Sequence, residues 1–137
     1  MTKILLAIPT LNEADNVKLL HKKIRQFNRK INILFVDDNS QDGTQKNIKD
    51  IIRRDKKTKL IIRKNAIGIG SAHKFCFRYA YKNKYDFLIT MDADFSHDPN
   101  QIDLFVKNLE DSPFVIGSRY IPGGKCLMKG KRLLLSK

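Results

Sequence analysis

Two aspartates separated by one residue follow an apolar run in this chain. Asp92 and Asp94 come after Phe87-Leu88-Ile89-Thr90 and Met91. If that run is a strand, the pair lies at its carboxyl end, where open α/β sheets bind ligands. Carboxylates there can hold a hard cation such as Mg²⁺ or Mn²⁺, which keeps open positions for substrate phosphates. A turn or a helix N-cap explains an isolated Asp-x-Asp better, so the rest of the chain must decide.

Apolar runs typical of strands alternate along the chain with segments long enough for a helix. The strand-like runs lie at residues 4–8, 31–36, 60–62, 87–91 and 114–116. Helices are predicted over residues 13–27, from 42–44 onwards, over 71–82 and from Pro99 onwards. Alternation of this kind predicts βαβ units, a mostly parallel sheet and the α/β fold class. The length of 137 residues suits one domain.

Four of the five predicted strands are followed by a polar, turn-forming cluster. These clusters lie at residues 9–13, 37–44, 92–94 and 117–120. In a parallel sheet they emerge at the same edge, and a single polar loop would not explain their convergence. We therefore expect one functional site there.

The charge balance indicates an anionic partner. The chain has 27 Lys and Arg against 14 Asp and Glu, a net charge of +13. Nucleic acid, phosphorylated small molecules and acidic membrane surfaces all suit such a chain. The segment 119–137 carries no acid and is the best candidate for a phosphate or membrane contact. The aromatic residues of the predicted helix 71–82 fall on different sides, which disfavours a stacking platform for nucleic acid.

Two common nucleotide-binding motifs are excluded. Gly68-Ile69-Gly70 is followed by His73 where a dinucleotide fingerprint needs a third glycine, and the chain has no phosphate-binding P-loop sequence. The two cysteines, Cys76 and Cys126, lack metal-site spacing and are expected to be reduced thiols. No apolar run approaches the roughly 18 residues that cross a bilayer.

Together the four clusters resemble the family 2 glycosyltransferases of GT-A fold and, within them, the polyprenyl (dolichyl) phosphate mannosyltransferases. The motifs are Ile-Pro-Thr-Leu-Asn-Glu at 8–13, Val-Asp-Asp-Asn-Ser-Gln-Asp-Gly-Thr at 36–44, Met-Asp-Ala-Asp-Phe-Ser-His-Asp-Pro at 91–99 and Val-Ile-Gly-Ser-Arg-Tyr-Ile-Pro-Gly-Gly at 115–124. The resemblance spans nearly the whole chain and implies a Rossmann-like sheet with helices on both faces. The domain 1–137 would be the N-terminal, nucleotide-sugar-binding part, incomplete at its C-terminus.

The resemblance implies a hexosyltransferase that moves mannose from GDP-mannose to a polyprenyl phosphate, with inversion and with Mg²⁺ or Mn²⁺. Such an enzyme would be cytoplasmic and peripheral on the cytosolic face of a membrane, held by the basic segment 119–137 or by a separate anchoring subunit. No nucleic-acid partner is expected. The alternatives are another donor such as UDP-glucose, a glycan acceptor, or a truncated nucleotide-sugar-binding module with weak catalysis.

The same resemblance assigns roles to individual residues. The nucleotide sugar would contact Pro9, Leu11, Glu13, Val36, Asp38, Asp92, Ala93 and Asp94. The metal would be held by Asp92, Asp94 and Ser96, and the acceptor phosphate by Arg119 and Arg132. Asp92, Asp94 and Arg119 would be the catalytic residues.

Overall fold

The computed structural model describes residues 2–28, 30–65, 68–109, 111–118, 120 and 122–123. Strands and helices alternate from the first strand to the fourth. In chain order the elements are β1 (Ile4–Thr10), α1 (Val17–Phe27), β2 (Asn32–Asp37), α2 (Thr44–Arg54), β3 (Thr58–Ile62), α3 (Gly68–Lys82), β4 (Phe87–Thr90), a 3₁₀ turn (Pro99–Gln101) and α4 (Ile102–Asn108). Among the described residues, none of the helices has both the length and the apolar character needed to cross a bilayer.

The four strands form one parallel sheet in the order β3-β2-β1-β4. Pro9 of β1 lies opposite Val36 of β2, and Ala7 of β1 lies opposite Thr90 of β4. The carboxyl ends of the strands therefore share one edge. This confirms the α/β prediction.

Alternate residues of the strands build two cores, one on each face of the sheet. On one face, Leu6, Ile8 and Phe35 pack against α1, α2 and the start of α4. On the other face, Leu5, Ala7, Leu34 and Val36 pack against Cys76 and Ala80 of α3. Period-two burial in strands and three- and four-residue spacing in helices produce this arrangement. Helices cover both faces, as predicted, and Cys76 is a buried free thiol.

The fifth predicted strand, 114–116, is wrong. Residues 112–118 have no strand or helix assignment, and Phe114 and Ile116 are mostly exposed. Val115 alone among these three packs against the core. A run of three apolar residues supports few ladder hydrogen bonds, and none of the described strands pairs with it.

The first and third helices begin at different residues from those predicted. α1 starts at Val17 rather than at Glu13. Residues 13–16 instead form a turn, in which the Glu13 carbonyl accepts hydrogen bonds from the Asn16 and Val17 N–H groups. α3 starts at Gly68, three residues before the predicted start at Ser71.

A polar cluster at the amino edge of the sheet joins α1 to the α2–β3 connection. The Asp55 carboxylate accepts hydrogen bonds from Arg25 Nε at 2.7 Å and Thr58 Oγ1 at 2.6 Å, and lies 2.8 Å from His21 Nε2. Burial raises the pKa of Asp55, but the bonds from Thr58, His21 and Arg25 outweigh it and lower the pKa on balance. These bonds hold α1 against the connection between α2 and β3 at the amino edge of the sheet, opposite the carboxyl edge where the site is expected.

Candidate functional site

The loops after β1 and β2 are joined by hydrogen bonds at the carboxyl edge. The Asn12 N–H donates to Ser40 Oγ at 2.8 Å, and the Gln41 N–H donates to Asn12 Oδ1 at 3.1 Å. The Glu13 N–H donates to Thr44 Oγ1 at 2.8 Å. Asn12 has a left-handed backbone with φ of 57°, which asparagine tolerates better than most residues. The two loops therefore behave as one unit.

Asp37 anchors this unit from beneath. Its side chain is fully buried and accepts hydrogen bonds from Thr10 Oγ1 at 2.9 Å, Ser40 Oγ at 2.6 Å and Gln45 Nε2 at 2.9 Å. The Ser40 N–H donates as well, at 2.9 Å. A buried carboxylate is tolerated when its oxygens are satisfied in this way. Both oxygens of Asp37 already accept hydrogen bonds from the protein, so this carboxylate is not available to a ligand.

Asp38 forms a two-pronged ion pair with Arg63, the residue that follows β3. Arg63 Nε and Nη2 each donate to an Asp38 oxygen at 2.7 Å, and Arg63 Nη1 donates to Ser71 Oγ at 2.8 Å. The side chains of Asp38 and Arg63 are only 10% and 12% exposed. Planar forks of this kind fix orientation as well as charge. The pair connects β2 and β3 to the first turns of α3.

Sequence reasoning missed Arg63, although a signal was present. The third predicted strand is not followed by a polar, turn-forming cluster, so the predicted site does not include its end. The register of β2 and β3 explains the contact between Asp38 and Arg63. Asp37 lies opposite Ile62, and the next residue of each parallel strand is Asp38 or Arg63. A single basic residue at the end of one parallel strand, beside an acid at the end of its neighbour, is the pattern to look for.

The loop after β4 presents its two carboxylates to solvent. The Asp92 side chain is 45% exposed, and Asp94 is exposed. The Asp92 N–H donates to His97 Nδ1 at 3.1 Å, while His97 Nε2 lies 3.8 Å from Asp92 Oδ2. Between the carboxylates Ala93 is buried. Phe95 has a left-handed φ of 62°, an uncommon conformation for a bulky residue, which tightens the turn.

Asp94 is held in its charged form. The Ser96 N–H donates to Asp94 Oδ1 at 2.9 Å. This backbone bond and a second one from the Ser96 hydroxyl lower the pKa of Asp94. The carboxylate is therefore ionised at neutral pH, as binding to a cation requires.

The donor set fits a hard cation that is shared with a ligand. Within the described residues, no group of three or more His, Cys, Asp and Glu side chains is placed to hold a metal by itself. Asp92 and Asp94 supply hard oxygen donors, and Mg²⁺ is commonly held by one or two carboxylates together with substrate phosphates. The Ser96 hydroxyl bonds to Asp94, which makes it a support for that carboxylate.

The other residues assigned by resemblance fall into two groups. Leu11 is exposed and Glu13 half-buried, so both are accessible at the edge. Pro9 and Val36 are buried in adjacent strands, with the Val36 side chain in the α3-side core, so they support the edge from below. Arg119 and Arg132, and most of the segment 119–137, lie outside the described residues.

Comparison with known proteins identifies the family. Residues 6–134 match the glycosyl transferase family 2 profile. The chain belongs to this family. That membership agrees with the resemblance carried by the four motifs.

Curated relatives cover most of the chain. It is 35% identical over 123 residues to the undecaprenyl-phosphate mannosyltransferase of Micrococcus luteus, a match that covers 90% of this chain and 51% of the relative. It is 33% identical over 138 residues to the polyprenol monophosphomannose synthase of Mycolicibacterium smegmatis, covering 98% and 52%. A dolichol-phosphate mannosyltransferase of Saccharomyces cerevisiae is 31% identical, covering 85% and 44%. The chain spans about half the length of the curated relatives it matches.

A solved structure shows the same fold. A mannosyltransferase from Pyrobaculum calidifontis, in complex with GDP-Man and Mn²⁺, superposes with a TM-score of 0.52 at 22% identity. The match covers 57% of this chain and 24% of that one. This similarity, together with family membership, supports a GT-A type of α/β fold for the described residues.

Proposed function

We propose that this chain carries the nucleotide-sugar-binding part of a hexosyltransferase that transfers mannose from GDP-mannose to a polyprenyl phosphate. The observation that carries the proposal is the exposed, ionised Asp94 beside Asp92, at the same sheet edge as the rigid β1–β2 loop unit. Family membership and the names of the relatives support the choice of mannose and of a lipid phosphate. In this proposal the reaction inverts the sugar carbon and uses Mg²⁺ or Mn²⁺.

The first two loops suit the nucleoside end of the donor. Glu13 and the Asp38–Arg63 pair lie there, and both carry carboxylate oxygens that can accept from ribose hydroxyls or base N–H groups. Because Arg63 holds Asp38 through two bonds, its position is set before a nucleotide arrives. Preorganised groups of this kind lose less entropy on binding. The recognition of guanine is assigned to this region.

The third loop suits the diphosphate. Asp92 and Asp94 would hold the cation, whose positive charge stabilises the negative charge that develops on the departing nucleoside diphosphate. The buried Ala93 brings the backbone between them close to the sheet. The acceptor is already a phosphate anion, so no strong general base is needed.

The acceptor end is assigned to the basic segment 119–137. Arg119 and Arg132 are proposed to bind the lipid phosphate, since a guanidinium fork matches phosphate oxygens. We propose peripheral attachment to the cytosolic face of a membrane, through this segment or through a separate anchoring subunit.

Donor binding tests the proposal directly. Isothermal titration with GDP-mannose and Mn²⁺ should give saturable binding, which excess EDTA abolishes. Asp94→Asn keeps the size of the side chain but removes its charge, and it should weaken metal-dependent binding by at least about tenfold. Asp111→Asn makes the same change at an exposed residue outside the site, and it should leave binding unchanged.

A donor panel and a transfer assay provide the contradicting outcomes. Binding of UDP-glucose in preference to GDP-mannose would reassign the donor. Labelled mannose appearing on a polyprenyl phosphate would establish the reaction. Binding of GDP-mannose without transfer would reduce the proposal to a binding module, and the absence of nucleotide-sugar binding would refute it.

A further inference from the structure

The outward side of α3 carries alternating cations and aromatic rings. Lys74, Phe77, Arg78 and Tyr81 are spaced at i, i+3, i+4 and i+7, so they share one face of the helix. All four are exposed, Phe77 by 59% and Tyr81 by 86%. We call these four residues the α3 strip.

The strip is separate from the residues that hold α3 on the sheet. Ala72, Cys76 and Ala80 are the buried residues of the helix. Phe75 and Tyr79 are half-buried and pack against that core, with their ring centroids 6.3 Å apart. The aromatic residues of α3 therefore divide into a packed pair and an exposed pair. Packing of the described residues does not explain why Phe77 and Tyr81 are aromatic.

All the charged residues of α3 are positive. α3 contains no Asp or Glu, and Lys82 and Lys84 continue the positive surface at its end. Two basic side chains of α1, on the other face of the sheet, have nearby partners instead. Lys18 lies 3.9 Å from Asp50, and Lys23 lies 5.1 Å from the centre of the Phe95 ring.

We infer that the α3 strip docks on the surface of an anionic phospholipid membrane. A tyrosine such as Tyr81 favours the depth of the lipid headgroups, where its ring is buried and its hydroxyl is wet. A phenylalanine such as Phe77 inserts its apolar ring at the boundary of headgroups and acyl chains. Lys and Arg on the same face attract anionic headgroups. A convex helix face suits a lipid surface better than single-stranded nucleic acid, which binds in charged grooves. The choice of a lipid partner rests on the proposed function.

Docking through this face would bring the candidate site to the membrane. α3 begins at the carboxyl edge, where Arg63 Nη1 bonds to Ser71 Oγ. From Lys74 to Tyr81 the helix rises about 10 Å, at 1.5 Å per residue. The strip therefore starts within about one helical turn of Ser71 and extends away from the edge that holds Asp38 and Arg63 for about two turns. A lipid phosphate bound at Lys74, the start of the strip, would lie close to that edge.

A single tryptophan tests this directly, because the chain contains none. Phe77→Trp places the reporter in the strip, and Leu19→Trp places a matched reporter at a half-exposed position of α1. Vesicles of phosphatidylcholine with phosphatidylserine are added without donor or polyprenyl phosphate. Emission of Phe77→Trp should move to shorter wavelength and be quenched by brominated lipid. Emission of Leu19→Trp should stay unchanged.

Charge reversal gives a second measurement. Lys74→Glu with Arg78→Glu should lower the vesicle-bound fraction by about tenfold or more. Lys22→Glu with Lys23→Glu makes the same change on α1 and should lower it by less than about threefold. Circular dichroism verifies that both double variants fold.

Three results would overturn the inference. They are an unchanged Phe77→Trp spectrum with anionic vesicles, an equal shift for Leu19→Trp, and an equal loss of binding for the α1 reversal. A shift of Phe77→Trp with single-stranded RNA but not with vesicles would assign the strip to nucleic acid. These measurements use no nucleotide sugar, so their failure leaves the donor-binding result intact.

Discussion

Two pairs of aspartates lie at the same edge of the sheet, but one pair is buried and hydrogen-bonded whereas the other is accessible to solvent. Asp37 is fully buried and Asp38 nearly so, and their oxygens are bonded by Thr10, Ser40, Gln45 and Arg63. The Asp92 side chain is 45% exposed, and Asp94 is exposed. Both pairs follow a parallel strand, and both are typical of the family motifs.

The difference teaches that the availability of a carboxylate, rather than its presence, marks a ligand site. Satisfied oxygens on Asp37 hold the first two loops in a fixed shape. The turn around Asp94 bonds its carboxylate through the N–H and the hydroxyl of Ser96 and leaves the side chain exposed. We therefore propose that Asp37 is structural, that Asp38, held by Arg63, helps to position the nucleoside, and that Asp92 and Asp94 hold the cation and the diphosphate.

The largest expected effect is on stability, at Asp37. Asp37→Ala removes the acceptor for Thr10, Ser40 and Gln45 and leaves buried donors without a partner. The free energy of unfolding should fall by roughly 3 kcal/mol, measured by urea denaturation. Asp94→Ala should change it by less than about 1 kcal/mol, because that side chain is exposed. Equal losses for both variants would remove the distinction between the two pairs.

Arg63 should show the next largest effect. Arg63→Ala leaves the nearly buried Asp38 carboxylate without its ion-pair partner, and we expect a loss of about 2 kcal/mol of stability, with weaker GDP-mannose binding. Arg63→Lys keeps the charge but loses the planar fork, so it should recover only part of both. Thermal unfolding and titration calorimetry give the two readouts.

Arg53→Ala is the matched control for Arg63. Arg53 also pairs with an aspartate, Asp50, at 2.9 Å, but its side chain is 79% exposed. Surface pairs of this kind contribute little, so the change should be within about 0.5 kcal/mol. If Arg63→Ala is as mild as Arg53→Ala, the Asp38 pair has no structural role.

Much of the fold was predictable, because the strands and helices have different apolar periods. The alternation predicted a mostly parallel sheet, and the structure confirms four of the five predicted strands. Helices on both faces, which the family resemblance implied, are confirmed as well. It failed at residues 114–116, since an apolar run shows that a segment can be a strand but not that a partner lies beside it. Helix starts also shifted, at Glu13 for example, where residues 13–16 form a turn before the helix begins at Val17.

The site was less predictable, because it depends on register and burial. The positions of Asp92 and Asp94 after an apolar run placed them at the edge correctly. The contact between Asp38 and Arg63 requires knowledge that Asp37 lies opposite Ile62. The burial of Asp37 requires its three donors to converge from separate segments. Neither fact is visible in the spacing of residues along the chain.

Ser96 carries the smallest expected effect and separates two roles. The family resemblance assigns it to the metal, whereas the structure directs its hydroxyl and its N–H at Asp94. Ser96→Ala keeps the backbone bond and removes only the hydroxyl. If that hydroxyl supports Asp94, Mn²⁺ affinity in the presence of GDP should fall by less than about threefold, or about 0.6 kcal/mol.

A lost metal ligand would weaken binding much more than a lost supporting bond. Removing an oxygen that binds the metal directly should lower Mn²⁺ affinity by about tenfold or more, as expected for Asp94→Asn. Ser112→Ala, which removes a hydroxyl outside the site, gives the baseline in the same Mn²⁺ titration. An effect of Ser96→Ala as large as that of Asp94→Asn would mean that the loop rearranges when the cation binds. The open arrangement of the second pair would then be only its ligand-free form.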